Sequence, residues 1–116
     1  MDNRLKMALH FSNYMATLNN QRRILKEKFK NDTTYYFNGG QFTIDRSLIV
    51  YVKDLCDQST VETILIDDNQ NPIQVSPLSN FLEVITDKYN NATATYFTEY
   101  DALRKNRSVE KLVEHE

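Results

Sequence analysis

A chain of 116 residues with 41% apolar content and a net charge of −2 is sized for one folded domain, and its single cysteine excludes an internal disulfide. No apolar run approaches the roughly 20 residues needed to cross a bilayer, so a soluble protein with no membrane partner is expected. The first ten residues hold Arg4 and Lys6 but neither a continuous apolar core nor a small-residue cleavage pattern, which argues against a secretory signal and for a cytoplasmic location.

Ala8, Phe11, Met15, Leu18, Leu25 and Phe29 recur at three-four spacing, interrupted by Arg22, and predict a first helix over about 3–30. Asp2 or Asn3 suits its amino-terminal cap, while Lys26, Lys28 and Lys30 complement the negative end of its dipole. Asn31, Asp32, Thr33 and Thr34 break the pattern. Thr34 to Ile44 reads as a hairpin around Gly39-Gly40, two adjacent residues free to adopt positive φ. That turn sets Phe37 opposite Phe42 and Tyr35 opposite Ile44 on an aromatic face, with Tyr36 and Thr43 on the other.

Ser47 can cap a short helix placing Leu48, Ile49, Val52, Leu55 and Cys56 on one side. The run Leu48 to Val52 is equally legal as a strand, but helical spacing continues through Asp57 and strands rarely run that long. Thr60 to Ile66 reads as a strand with Ile64 and Ile66 on one face. Asp67 to Asn71 turns it, and Pro72 to Val75 pairs back, the proline starting an edge strand because it lacks an amide donor. Ser76-Pro77 then opens a second long helix over about 77–105. Its apolar positions Leu78, Leu82, Ile85, Tyr89, Ala92, Tyr96 and Leu103 are interrupted by Glu99. Asn90, Asn91, Thr93 and Thr95 soften its middle at roughly 0.5 kcal/mol each against alanine, and Asn106-Arg-Ser108 is expected to break it, with Ser108 capping a last turn.

The fold class predicted is α+β: two long antiparallel helices whose apolar seams bury each other or a second subunit, with a hairpin, short helix and hairpin between them. One domain over 1–116 is expected, divided into helix 1–30, a small antiparallel β segment with its short helix at 34–75, and helix plus tail at 77–116. Charge is uneven along it. Residues 1–30 carry seven Lys/Arg against Asp2 and Glu27, and residues 31–116 carry seven against fourteen Asp/Glu.

Nothing in the sequence assembles a catalytic site, and no enzyme activity or cofactor is expected. Asp67-Asp-Asn-Gln-Asn71 has oxygens at alternate positions, as a calcium loop does, but Pro72 and Leu78 stand where such a loop needs glycine and glutamate. A hairpin turn is the better reading. His10 and His115, with Glu114 and Glu116, lack metal-ligand spacing. Gly39-Gly40 has no Lys-Ser/Thr tail to make a phosphate loop. Cys56 reads as a small core residue, since no His or Lys is adjacent to activate it.

Two surfaces remain. Tyr89, Tyr96, Phe97 and Tyr100 make an aromatic arc on the second helix, broader than one packed helix covers, and with Tyr36 they are the expected partner-binding residues. Arg22, Arg23, Lys26, Lys28 and Lys30 are the nucleic-acid-binding alternative, in competition with pairing of this basic run to Glu83 and Asp87. Arg22 and Glu99, polar residues in the seams, read as register-setting or simply exposed.

The segment Leu65-Ile-Asp-Asp-Asn-Gln-Asn-Pro-Ile-Gln-Val75, followed by Phe81 to Tyr89 and Tyr96 to Arg107, resembles small uncharacterised proteins of marine contractile-tailed bacteriophages. That likeness covers the carboxyl-terminal half and implies a phage accessory or virion-associated protein in the host cytoplasm or virion. The order of elements is similar to prefoldin subunits, with shorter helices and an added middle helix, and implies a chaperone only by architecture. The function expected is a non-enzymatic, homo-oligomerising or protein-binding protein.

Overall fold

The computed structural model describes residues 2–114, and side-chain surroundings through Lys105. The elements run α1 (Asn3–Asp32), β1 (Thr34–Phe37), β2 (Gly40–Thr43), α2 (Arg46–Asp57), β3 (Thr63–Ile66), β4 (Pro72–Val75) and α3 (Leu78–Glu114). The α+β class and element order match the sequence reading. Contacts gather into two units, one formed by Met1–Lys28 with Thr95–Glu116 and the other by Phe29–Ala94.

In the first unit α1 and α3 pack antiparallel. Leu18 is buried there, Met15 and Leu25 are half-buried, and Lys28 donates to Glu99. The seam does not reach the start of α1: Ala8 and Phe11 are exposed, contrary to the spacing argument. Periodicity identifies a face but not whether a neighbour covers it. Asp2 opens the helix, its Oδ1 accepting from the amide of Arg4 at 3.1 Å. At the other end, α3 continues without interruption through Asn106-Arg-Ser108, so the expected break is absent.

The second unit holds the core: Phe42, Ile44, Val52, Leu65, Ile73, Val75, Leu78, Phe81 and Ile85, all buried, with Cys56, Leu82 and Tyr89 packed against them. Phe81 is its aromatic centre. The rings of Phe37, Phe42 and Tyr35 lie 5.4, 5.5 and 5.8 Å from it, the first two edge-on as the ring quadrupoles favour. Leu82, Ile85, Tyr89 and Ala92 of α3 are half-buried or buried as their spacing predicts, and the soft middle stays helical around them, the Thr93 hydroxyl donating to the Asn90 carbonyl at 3.0 Å.

Where α1 ends, threonines replace the missing helical donors. Thr33 and Thr34 hydroxyls donate to the carbonyls of Phe29 and Lys30 at 2.9 and 2.8 Å. The Thr33 carbonyl then accepts from the Ile44 amide at 2.8 Å, extending the first hairpin ladder by one rung.

The first hairpin is offset from its expected register. Tyr35 pairs with Phe42 and Phe37 with Gly40, so the turn is Asn38-Gly39 and not Gly39-Gly40. Both turn residues have positive φ, 49° and 81°, as a primed Asn-Gly turn requires. A shift of two keeps every side chain on its expected face. Gly40 is needed for space: a Cβ there would lie 2.6 Å from Ile73 Cγ1 and 3.2 Å from the Phe42 ring.

In α2 the cap is Asp45, whose Oδ1 accepts from the Leu48 amide at 2.8 Å, and not Ser47, which lies inside the helix. Leu48, Ile49, Val52, Leu55 and Cys56 share the inward side as expected. The helix closes with Ser59 at φ 65°, its amide on the Cys56 carbonyl and the Thr60 amide on the Leu55 carbonyl, the paired bonds of a Schellman ending. Strands β3 and β4 pair Thr63 with Val75 through Ile66 with Pro72. Leu65, Ile73 and Val75 point inward, while Ile64 and Ile66 share the exposed face. Pro72 begins β4 as predicted; α3 begins at Leu78, one residue after Pro77, which follows a cis Ser76-Pro77 bond.

Ile85→Asp should abolish the cooperative melting transition, because an unpaired carboxylate in a fully buried site exceeds what a marginal domain tolerates. Arg23→Ala, at an exposed site, should change stability by less than about 0.5 kcal/mol. Ser59→Gly should raise stability by about 1 kcal/mol by removing a left-handed β-carbon. Urea unfolding of the three variants checks all of these.

Candidate functional site

Four of the residues expected on two separate surfaces meet in one place. In the first unit, Arg22, Leu25 and Lys26 of α1 and Tyr96 and Tyr100 of α3 line a cleft of about 260 Å³. A smaller neighbouring cleft of about 80 Å³ is lined by Leu18, Arg22, Tyr100, Leu103 and Arg104. Spacing explains the arrangement. Arg22 and Lys26 stand four residues apart on one helix, and Tyr96 and Tyr100 four apart on the other, so each pair forms a ridge along its helix.

Arg22 is half-buried, and among the described residues it enters no ion pair. Its neighbour Arg104 is matched by Asp101, whose two oxygens accept from Arg104 Nη2 at 2.8 Å and Lys105 Nζ at 3.0 Å. The Lys105 ammonium, with Arg104 beside it, holds the Asp101 carboxyl below its ordinary range. Among the described residues the basic run pairs through Lys28 with Glu99, and not with the expected Glu83 or Asp87. Glu99 therefore answers a helix-one cation, as a register-setting residue would, though both side chains are too exposed for the pair to contribute much stability. Arg23 points to solvent and donates to Asn20 Oδ1 at 2.5 Å. Lys30 is exposed and belongs to the second unit.

The aromatic arc divides. Tyr89 is half-buried, packed against the core and edge-on to Phe29 at 6.4 Å. Tyr96 and Tyr100 line the cleft. Phe97 and Tyr36 are left mostly in water, at 67% and 72% exposure.

The Asp67–Asn71 turn has a tertiary role that its local pattern does not reveal. Asp67 is buried, and its Oδ1 accepts from the amides of Asn69 and Asn71 at 3.0 and 2.8 Å, while Oδ2 accepts from the Gln41 amide at 3.0 Å. Asp68 accepts from the Thr43 amide at 3.1 Å and the Thr43 hydroxyl at 2.6 Å, and its own amide donates to the Gln41 carbonyl at 2.8 Å. These carboxylates bond to the open edge of β2, so the hairpin turn also joins the two hairpins. Among the described residues no group of three or more His, Cys, Asp or Glu could hold a metal ion. His10 is exposed, and His115 lies outside the described residues.

The amide of Gln41 above all, with that of Asn71, stabilises the ionised form of Asp67 and lowers its pKa below 3.8 against an opposing cost of burial. A depressed carboxyl contributes stability that is full above its unfolded-state value and is lost as pH falls through the folded one. Asp67→Asn should lower the melting midpoint at pH 7, because an amide group in place of Oδ2 sets a donor against the Gln41 N–H. The difference from wild type should narrow below about pH 4. Parallel midpoint curves for the two proteins from pH 7 to pH 2 would show that the carboxylate does not carry this effect.

No family model, curated protein or solved structure matches the chain. Among the described residues no helix is long and apolar enough to cross a membrane.

Proposed function

We propose that the chain is a non-enzymatic, self-associating or partner-binding protein, acting in phage assembly or in takeover of a host protein; the bacteriophage resemblance, which implies an accessory or virion-associated protein, supports the phage setting. What supports this reading is the start of α1. Leu5, Met7, Leu9 and Phe11 are 51%, 69%, 48% and 57% exposed, four large apolar side chains within seven residues. At 100° per residue these four, with Ala8, span more than half the circumference of the helix. A helix apolar over so wide an arc is stable in water when more than one neighbour covers it. Phe97 adds a further exposed ring on the α3 portion of the same unit.

A second copy is the simplest cover, since symmetric self-association is the commonest way soluble chains bury such a face. Light scattering of the full chain at micromolar concentration should give a mass above 13.7 kDa. Replacing Met7 and Phe11 together by serine should return it to the monomer mass without lowering the melting temperature of the core. A wild-type mass of 13.7 kDa, or an oligomer indifferent to both serines, would remove self-association through α1.

A further inference from the structure

We propose that the cleft of Arg22, Lys26, Tyr96 and Tyr100 binds a nucleotide, its phosphate on the two cations and its base against the tyrosine rings. This goes beyond the self-association reading and does not rest on it, because every residue of the cleft belongs to one chain.

Three observations carry the inference. Arg22 is half-buried as a residue, lines a concave site and enters no ion pair among the described residues. An arginine without a carboxylate partner is open to an oxyanion, and its planar fork matches phosphate with two parallel hydrogen bonds. Lys26 adds a second cation at the same cleft, which favours phosphate over the single charge of a carboxylate. Beside it, Arg104 and Lys105 share the single carboxylate of Asp101.

The wall opposite the cations is aromatic. Tyr96 and Tyr100 line it, and Tyr100, 42% exposed, is the aromatic side chain more open to a stacking base. At about 260 Å³ the cleft is close to the roughly 300 Å³ at which small-ligand pockets begin, a size for one phosphate and one ring.

Charge at longer range agrees. Residues of the unit that bears the cleft include ten Lys/Arg against seven Asp/Glu, whereas the other unit has four against nine. An anion is therefore drawn to the first unit. The same chemistry is presented by a free mononucleotide and by one residue of a single strand, and the experiment separates them.

Thymidine 5′-monophosphate, thymidine, a short oligothymidylate without terminal phosphate, and a polyglutamate peptide are titrated into the full chain. Tyrosine ring resonances report occupancy. The monophosphate should shift tyrosine resonances saturably and thymidine should not. Arg22→Gln should weaken the monophosphate by about tenfold or more, as loss of a bidentate charged contact does. Arg23→Gln, one residue along the same helix but outside the cleft, should change it less than about twofold. Lys26→Gln and Tyr100→Leu give the same reading should the Arg22 variant fail to fold. Tighter, steeply salt-dependent binding of the oligothymidylate identifies a strand as the source; its failure to bind identifies the free nucleotide.

Absence of saturable binding overturns the proposal. So does equal loss in the Arg22 and Arg23 variants, which would mark diffuse charge attraction, and so does polyglutamate binding with the same affinity and the same dependence on Arg22.

Discussion

The open edge of β2 is closed by two carboxylates. Each hairpin in this protein is a sheet of only two strands, and such ribbons are marginal in water unless something packs against them. No strand ladder joins the two sheets. Asp67 and Asp68 link them instead, their carboxylates accepting from the outward amides of Gln41 and Thr43 and the Asp68 backbone amide donating to the Gln41 carbonyl. Asn38 adds a further link, its side-chain amide donating to the Gln74 carbonyl at 3.1 Å. The first turn and the second turn are thus each tied to the opposite hairpin.

Packing follows from that junction. With the hairpins held together, Gly40 meets Ile73 at a distance that admits no side chain, and Phe42, Leu65, Ile73 and Val75 close over Phe81. The charges also protect the edge. An unpaired strand edge invites pairing with another chain, and negative side chains bonded to its amides prevent this.

Much of this was legible because it is local. Three-four spacing marked both long helices, the inward side of α2 was correct to the residue, and Pro72 marked the start of β4. Misses occurred where two readings were locally equivalent. Asn38-Gly39 and Gly39-Gly40 both satisfy a turn, and the choice between them depends on Ile73, thirty-odd residues away. Asp45 and Ser47 are both good caps, and only the backbone position of the first helical turn separates them. Ala8 and Phe11 carry the right spacing, but exposure depends on what lies opposite.

The candidate site was legible as residues but not as a site. In the sequence Arg22 is a cation in an apolar seam and Tyr96 and Tyr100 are part of an aromatic arc, features that point to different partners. Pitch and antiparallel alignment bring them to one cleft, and no spacing within either helix encodes that meeting. Leu25, Leu103 and Arg104 escaped notice as lining residues for the same reason. The acidic turn was missed in the opposite sense: Asp and Asn in a turn are so common that nothing in the segment signals a bond to a strand far away in sequence.

Amide hydrogen exchange at Gln41 and Thr43 tests the central junction most directly. Both N–H groups point away from β1, so only the carboxylates of Asp67 and Asp68 can protect them. The account predicts that they exchange as slowly as the cross-strand amides of Phe42 and Gly40, and that both become fast in an Asp67→Ala, Asp68→Ala double variant. Fast exchange at Gln41 and Thr43 in the wild-type protein, alongside a protected core, would contradict it.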